Sequence, residues 1–220
     1  GTVSFGDSTY ADGDTVTVSV EDGDLSTTEE YVVNVQSDTE GQADVTGERP
    51  NSSTTYTTNV SVADKNNDNK ITPSDIEYED RDRGGNKITS VTRNQNGTVT
   101  ITFENTPGTN DALNYIRGET VALVHDTDDQ FVGSNRISST DTTGTLHIAE
   151  GDTINSSYFD ESIQKTQITT ATVDNDPEPL SLGPVTELST GSLNGTSLTH
   201  TESVIEVPFS EDVTKAGGAS

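Results

Sequence analysis

Nine segments of this chain place apolar residues at every second position. Thr15–Val20 reads TVTVSV, Tyr31–Val35 YVVNV, Thr57–Ala63 TTNVSVA, Lys87–Val91 KITSV and Thr98–Phe103 TVTITF. Thr120–His125, Gly144–Ile148, Gln167–Val173 and Ser203–Phe209 continue the series, and Gly, Asn, Asp or Pro bound each segment. Successive side chains of a strand point to opposite faces, so this period buries one face and wets the other. The spacing predicts an all-β chain of antiparallel β-sandwich domains with little helix. Asp111–Ile116, Tyr158–Gln164 and Ser74–Asp80 are expected to form single helical turns at most, each too short for an amphipathic face.

The 38 Asp and Glu against 11 Lys and Arg give a formal net charge of −27, spread from Asp7 to Asp212. A surface of this kind repels itself in dilute buffer and needs screening or bound cations. Salt adaptation is the reading adopted; generic disorder is its rival, and the regular alternation argues against it. Nucleic acid and anionic membranes are poor partners for such a surface. Cys, Met and Trp are absent, which excludes disulfides and thiolate chemistry. Without Met, Gly1 is expected to lie downstream of a processing site or a fragment boundary. No apolar run is long enough for a transmembrane helix.

Two polar, Gly- or Pro-containing stretches, Glu79–Asn86 and Asp174–Gly183, divide the chain on paper. They predict a first β-sandwich over residues 1–80, a second β-domain over 81–176, and a linker with a C-terminal strand over 177–220. In the last segment Ser203–Phe209 is the one strong strand, and a lone strand must pair elsewhere.

The sharpest motif is DKNNDNKITPSD, Asp64–Asp75. A twelve-residue calcium loop draws oxygens from positions 1, 3, 5, 7, 9 and 12 and needs a residue tolerating positive φ at position 6. Those ligand positions hold Asp64, Asn66, Asp68, Lys70 through its main-chain carbonyl, Thr72 and Asp75. Asn69 takes the turn, where Asn is the best substitute for Gly. Ile71 supplies an apolar anchor. The competing reading is a polar Asn/Asp turn in an acidic protein. Asp75 stands where a sensor loop has Glu, and a strand precedes the loop where a helix would stand. Both departures count against a sensing module that opens a groove. The acidic clusters Glu21–Asp24, Asp126–Asp129 and Asp174–Asp176 read as solvated turns.

Little in the chain points to an enzyme. His125, His147 and His200 sit in no metal-binding or nucleophile-activating spacing. Paired carboxylates are uninformative among 38 acids, and no Gly-rich phosphate loop links a strand to a helix.

The calcium motif resembles the EF-hand-like loop of dockerin modules. Tyr10–Val20 (YADGDTVTVSV), followed by Glu21–Leu25 and a Val-rich strand, resembles the immunoglobulin-like domains repeated in haloarchaeal and other prokaryotic surface-layer proteins. IEVPFSEDV, Ile205–Val213, resembles a strand of bacterial immunoglobulin-like modules. These likenesses imply immunoglobulin-like sandwiches in a secreted, cell-surface subunit of a filament or surface layer. Within the family of extracellular archaeal threads such subunits join by β-strand addition. Thr2–Phe5 and Ser203–Phe209 are the two candidate donors for such a homopolymer. A calcium-dependent adhesin or carbohydrate-binding module of a larger surface protein is the alternative. Five N-x-[ST] sequons, at Asn51, Asn59, Asn96, Asn155 and Asn194, are candidate glycan acceptors.

Overall fold

Every third residue or so of this chain is Thr, Ser or Asn, yet the inward side of the described strands carries mainly Val, Ile, Leu, Phe or Tyr, and that side decides the architecture. The computed structural model describes residues 1–82 and 84–175, together with the backbone of two short strands beyond them. Gly1–Asn175 forms one compact unit and Asp176–Ser220 a second. The fold is an all-β antiparallel sandwich.

The larger sheet is built from both ends of the first unit. Its early strands are β1 (Thr2–Phe5), β2 (Thr9–Tyr10), β3 (Thr15–Glu21) and β4 (Tyr31–Gln36). After a long excursion come β5 (Ala43–Glu48), β6 (Thr55–Thr57), β7 (Ile76–Glu79), β8 (Ile88–Arg93), β9 (Val99–Phe103) and β10 (Ala112–Arg117). The chain then returns with β11 (Glu119–His125), β12 (Gln130–Ser138), β13 (Thr145–His147), β14 (Thr153–Asp160) and β15 (Lys165–Val173). The order is β1-β3-β12-β11-β4-β14-β15-β2, with β13 pairing in parallel on β12. β11 meets β4 through Glu119–Leu123 and β12 only through Val124 and His125, so it passes from one layer to the other. Seventeen buried side chains fill the space within, among them Val16, Val18, Val20, Phe131, Ile154 and Tyr158.

β5–β10 form a second, smaller sandwich inserted between β4 and β11. Its two sheets run β5-β10-β7 and β6-β9-β8 around seven buried residues, including Val62, Ile101, Phe103 and Leu113. Glu48 ties its layers by accepting from the hydroxyls of Tyr56 and Tyr115. A division near 79–86 does not separate two domains. β5, β6 and β7 from before it pair with β9 and β10 from after it, and β3 and β4 pair with β12 and β11. Sequence order misleads here because the stretch is a loop within the inserted sandwich, pinned by the buried Asp111. That carboxylate accepts from Tyr78 Oη at 2.5 Å and from the N–H groups of Arg81 at 2.9 Å, Asp82 at 3.1 Å and Gly108 at 2.7 Å. Burial pushes the Asp111 carboxyl up, but these donors hold it below the ordinary value.

Four local expectations change. Ala112–Arg117 is a strand, not a helical turn, because ladders to β5 and β7 engage both its edges. Tyr158 lies in β14, and the turn at Ser74 is a 3-10 turn, Pro73–Asp75, capped by Thr72. Thr57–Ala63 is not one strand: β6 ends at Thr57, and Val62 makes only an isolated bridge to Arg117. β12, rich in Gly, Ser and Asn, shows weakly in the sequence yet lies between β3 and β11. Gly133 is required there, because a Cβ would stand 2.2 Å from the Ala122 oxygen.

The candidate donor Thr2–Phe5 pairs antiparallel with β3 at one end of the large sheet. In the second unit, β16 (Thr186–Leu188) pairs antiparallel with β17 (Val204–Glu206). The rest of Ser203–Phe209, with Asn194 and His200, lies outside the described residues. No helix among the described residues is long and apolar enough to cross a membrane.

Candidate metal loop

β4 is buried on both faces, and the reason is the loop. Tyr31, Val33 and Val35 enter the large core, while Val32 and Asn34 face the 64–75 segment. Asn34 donates its amide to the Asp64 oxygen at 2.9 Å and accepts from the Asp64 N–H at 3.0 Å. Asn69 makes the same two-way contact with the main chain of Phe159, at 2.7 and 3.0 Å. The Val32 N–H donates to the Asn69 oxygen at 2.8 Å. Ile71 packs against the smaller core. The loop is therefore the joint between the two sandwiches.

Its internal wiring follows the twelve-residue register. Asn69, at the turn position, has φ of 62°, and Asn67 has φ of 54°. The Asp64 carboxylate accepts from the N–H of Asp68 at 3.2 Å and of Asn69 at 2.7 Å. Asp68 accepts from the Lys70 N–H at 3.1 Å and from the Asn66 amide at 2.8 Å. Asp75 closes the loop, accepting from the N–H groups of Lys65 at 3.0 Å and Thr72 at 2.8 Å. Thr72 caps the 3-10 turn with its hydroxyl. The Lys70 ammonium turns to Glu29 at 2.5 Å and over the Tyr31 ring.

Asp64 is 2% exposed and Asp75 is fully buried. Burial, then the charges of Asp75 and Asp68, push the Asp64 carboxyl up to about 6 against its backbone donors. Burial, joined by the charge of Asp68, also raises Asp75. Neither carboxylate has a cationic partner among the described residues. Each retains lone pairs beyond its N–H bonds. Among the described residues, however, no three His, Cys, Asp or Glu side chains converge on one point. The other oxygens at the ligand positions of the twelve-residue register belong to Asn66, Thr72 and the Lys70 main chain.

No family model and no curated protein matches the chain.

Beside the loop lies a polar cleft of about 260 Å3, lined by Asp24, Glu29, Tyr31, Asp68, Lys70 and Glu161 among others. The Glu21–Asp24 and Asp126–Asp129 clusters meet, with the Asp22 N–H donating to the Asp129 oxygen at 2.9 Å. Asp22 also accepts from Tyr158 Oη at 2.5 Å. His125 bonds the Asp128 oxygen at 2.8 Å and packs edge-on against Phe131, and the His147 oxygen accepts from Ser37. Sequence reasoning missed Asn34 and Phe159 as partners of the loop. The one available signal was Asn34, a polar interruption of the run YVVNV.

Proposed function

We propose that this chain is a structural subunit of an extracellular filament or surface lattice, built of salt-adapted β-sandwiches and braced by calcium in the 64–75 loop. The observation that carries this is the pair of buried carboxylates, Asp64 and Asp75, without a cationic partner at the joint of two cores. Buried charge is costly unless it is paired or coordinates a metal. Asp64, Asn66, Asp68, the Lys70 carbonyl, Thr72 and Asp75 would hold the ion, which supplies neutralising charge. Calorimetric titration of the wild type against Asp64→Ala tests the site; equal calcium heats remove it.

In this reading copies assemble by terminal-strand exchange, with Thr2–Phe5 or Ser203–Phe209 as the donated strand, which must first leave its own partner, β3 or β16. A contact of this head-to-tail kind propagates without closing. The likeness of Tyr10–Val20 to repeats of prokaryotic surface-layer proteins supports the location. Electron microscopy of purified native material tests the assembly: regular polymers support it, and dispersed monomers sink it. The cleft beside the loop favours a second reading, a calcium-dependent adhesin or carbohydrate-binding module. Monomers that bind glycans only with calcium present would favour that reading.

A further inference from the structure

Four of the five sequons lie among the described residues, and the fold treats them differently. An N-linked transfer needs a free asparagine amide and, because the motif specifies it, a reachable hydroxyl two residues on. Asn155 stands in β14 with Gln36 on one side and Thr170 on the other, inside a continuous ladder. Asn59 is exposed, but its amide nitrogen donates to Glu48 at 3.1 Å and to Tyr56 Oη at 3.2 Å, and its partner Ser61 is 2% exposed. Asn96 lies at the turn before β9. Asn96 is exposed and its amide nitrogen is unbonded among the described residues, but the hydroxyl it needs, on Thr98, is buried and donates at 2.6 Å to the Asn96 side-chain oxygen.

Asn51 differs from each of these: unlike Asn155 it lies outside any ladder, unlike Asn59 its amide is unbonded among the described residues, and unlike Asn96 its partner hydroxyl is not fully buried. It sits in the connection between β5 and β6, outside any ladder, and is exposed, next to the buried Pro50 that anchors the turn. Its side chain makes no hydrogen bond among the described residues. Its main-chain oxygen accepts from the Ser53 N–H at 2.7 Å, which folds Ser53 back beside it. Ser53 is half-buried, and its hydroxyl oxygen accepts only a long bond from the Thr55 N–H at 3.3 Å.

We infer that Asn51 is the sequon among these four that accepts an N-linked glycan on the folded chain, and that Asn59, Asn96 and Asn155 are closed by the fold. The Asn51 amide nitrogen attacks the anomeric carbon of a lipid-pyrophosphate-linked oligosaccharide. The N–C bond forms as the C–O bond to phosphate breaks; the amide proton passes to a base of the transferase, and the lipid pyrophosphate leaves. The biological setting rests on the exported location proposed above. The test below reads presentation by the fold alone, so its failure would strike this assignment and leave that location and the calcium loop untouched.

The test uses an oligosaccharyltransferase chosen because it modifies four short peptides, one spanning each sequon. Purified full-length folded chain is the second substrate, and sites are mapped by mass spectrometry. Occupancy at Asn51 should exceed that at each of the other three by at least about ten-fold, because those need local opening first. Asn51→Gln should remove it. An unmodified Asn51 on the folded chain, or comparable occupancy at Asn59, Asn96 or Asn155, overturns the assignment.

Discussion

The side-chain amide of Asn69 pairs with the main chain of Phe159 in both directions, donating at 2.7 Å and accepting at 3.0 Å. One residue thus serves two structural ends, since Asn69 also carries the positive φ of the loop's turn. Gly would supply the turn alone.

Asn69→Gly should therefore destabilise the chain although it suits the backbone. Loss of the two bonds leaves part-buried polar groups of Phe159 unpaired and costs about 1–3 kcal/mol. Asn69→Ala should cost about 1 kcal/mol more, because a Cβ without a local hydrogen bond disfavours the left-handed region. Urea denaturation of both variants checks the order. Equal stability of Asn69→Gly and wild type would show that the joint contributes nothing.

Calcium should raise the melting temperature of the wild type and chelation should lower it. Binding only to the folded state adds about 2.7 kcal/mol when free calcium is a hundred times the dissociation constant. Asp64→Asn should lose this dependence while still unfolding cooperatively, and differential scanning calorimetry with and without chelator reads it. Magnesium at the same concentration controls for general screening of the −27 charge.

Glu119 gives a pH dependence remote from the loop. It is 5% exposed and faces the Ser61 hydroxyl, the Asn135 amide and the Gly144 N–H, with the charge of Glu40 nearby. The Arg93 guanidinium feels its charge but bonds to Thr120 and the Asn94 oxygen instead. Burial, then Glu40, raises the Glu119 carboxyl, so the folded chain holds this proton more tightly than the unfolded one. Stability is then lost as pH rises from the unfolded value through the raised folded one, and regained in acid. Glu119→Gln should gain about 1–2 kcal/mol at neutral pH. The gain should vanish as the solution is acidified below the ordinary carboxylate range, read as melting temperature against pH. A gain independent of pH would refute the cause.

The insertion makes a further claim about independence. The Gln42 side chain lies beside Gly118, 3.1 Å from where a Cβ on that glycine would be. Joining the chain there and removing residues 43–117 should leave the large sandwich folded but less stable, because the 64–75 loop that covers Val32 and Asn34 goes with them. Arg117, which bonds Glu40 at 2.8 Å, is lost in the excision, so Glu40→Gln should accompany it to avoid an unpaired buried charge. The denaturant m-value should fall roughly in proportion to the surface removed. A shortened chain without cooperative unfolding would show that the large core depends on the inserted one.

Much of this was legible along the chain. The alternation of TVTVSV, YVVNV and TVTITF fixes strands and their buried faces because side-chain direction on a strand is a local, period-two property. The turn within Asp64–Asp75 was likewise readable, since the positive φ at Asn69 is a local property of consecutive residues. The inserted sandwich was not readable. β4 and β11 are paired neighbours across more than eighty residues of intervening sequence, and Asn34 meets Asp64, as Asn69 meets Phe159, only once two sandwiches are packed together. Local periodicity says which face of a strand is buried but not which strand lies beside it. The partner, and with it the burial that pushes Asp64 up, was decided by tertiary packing alone.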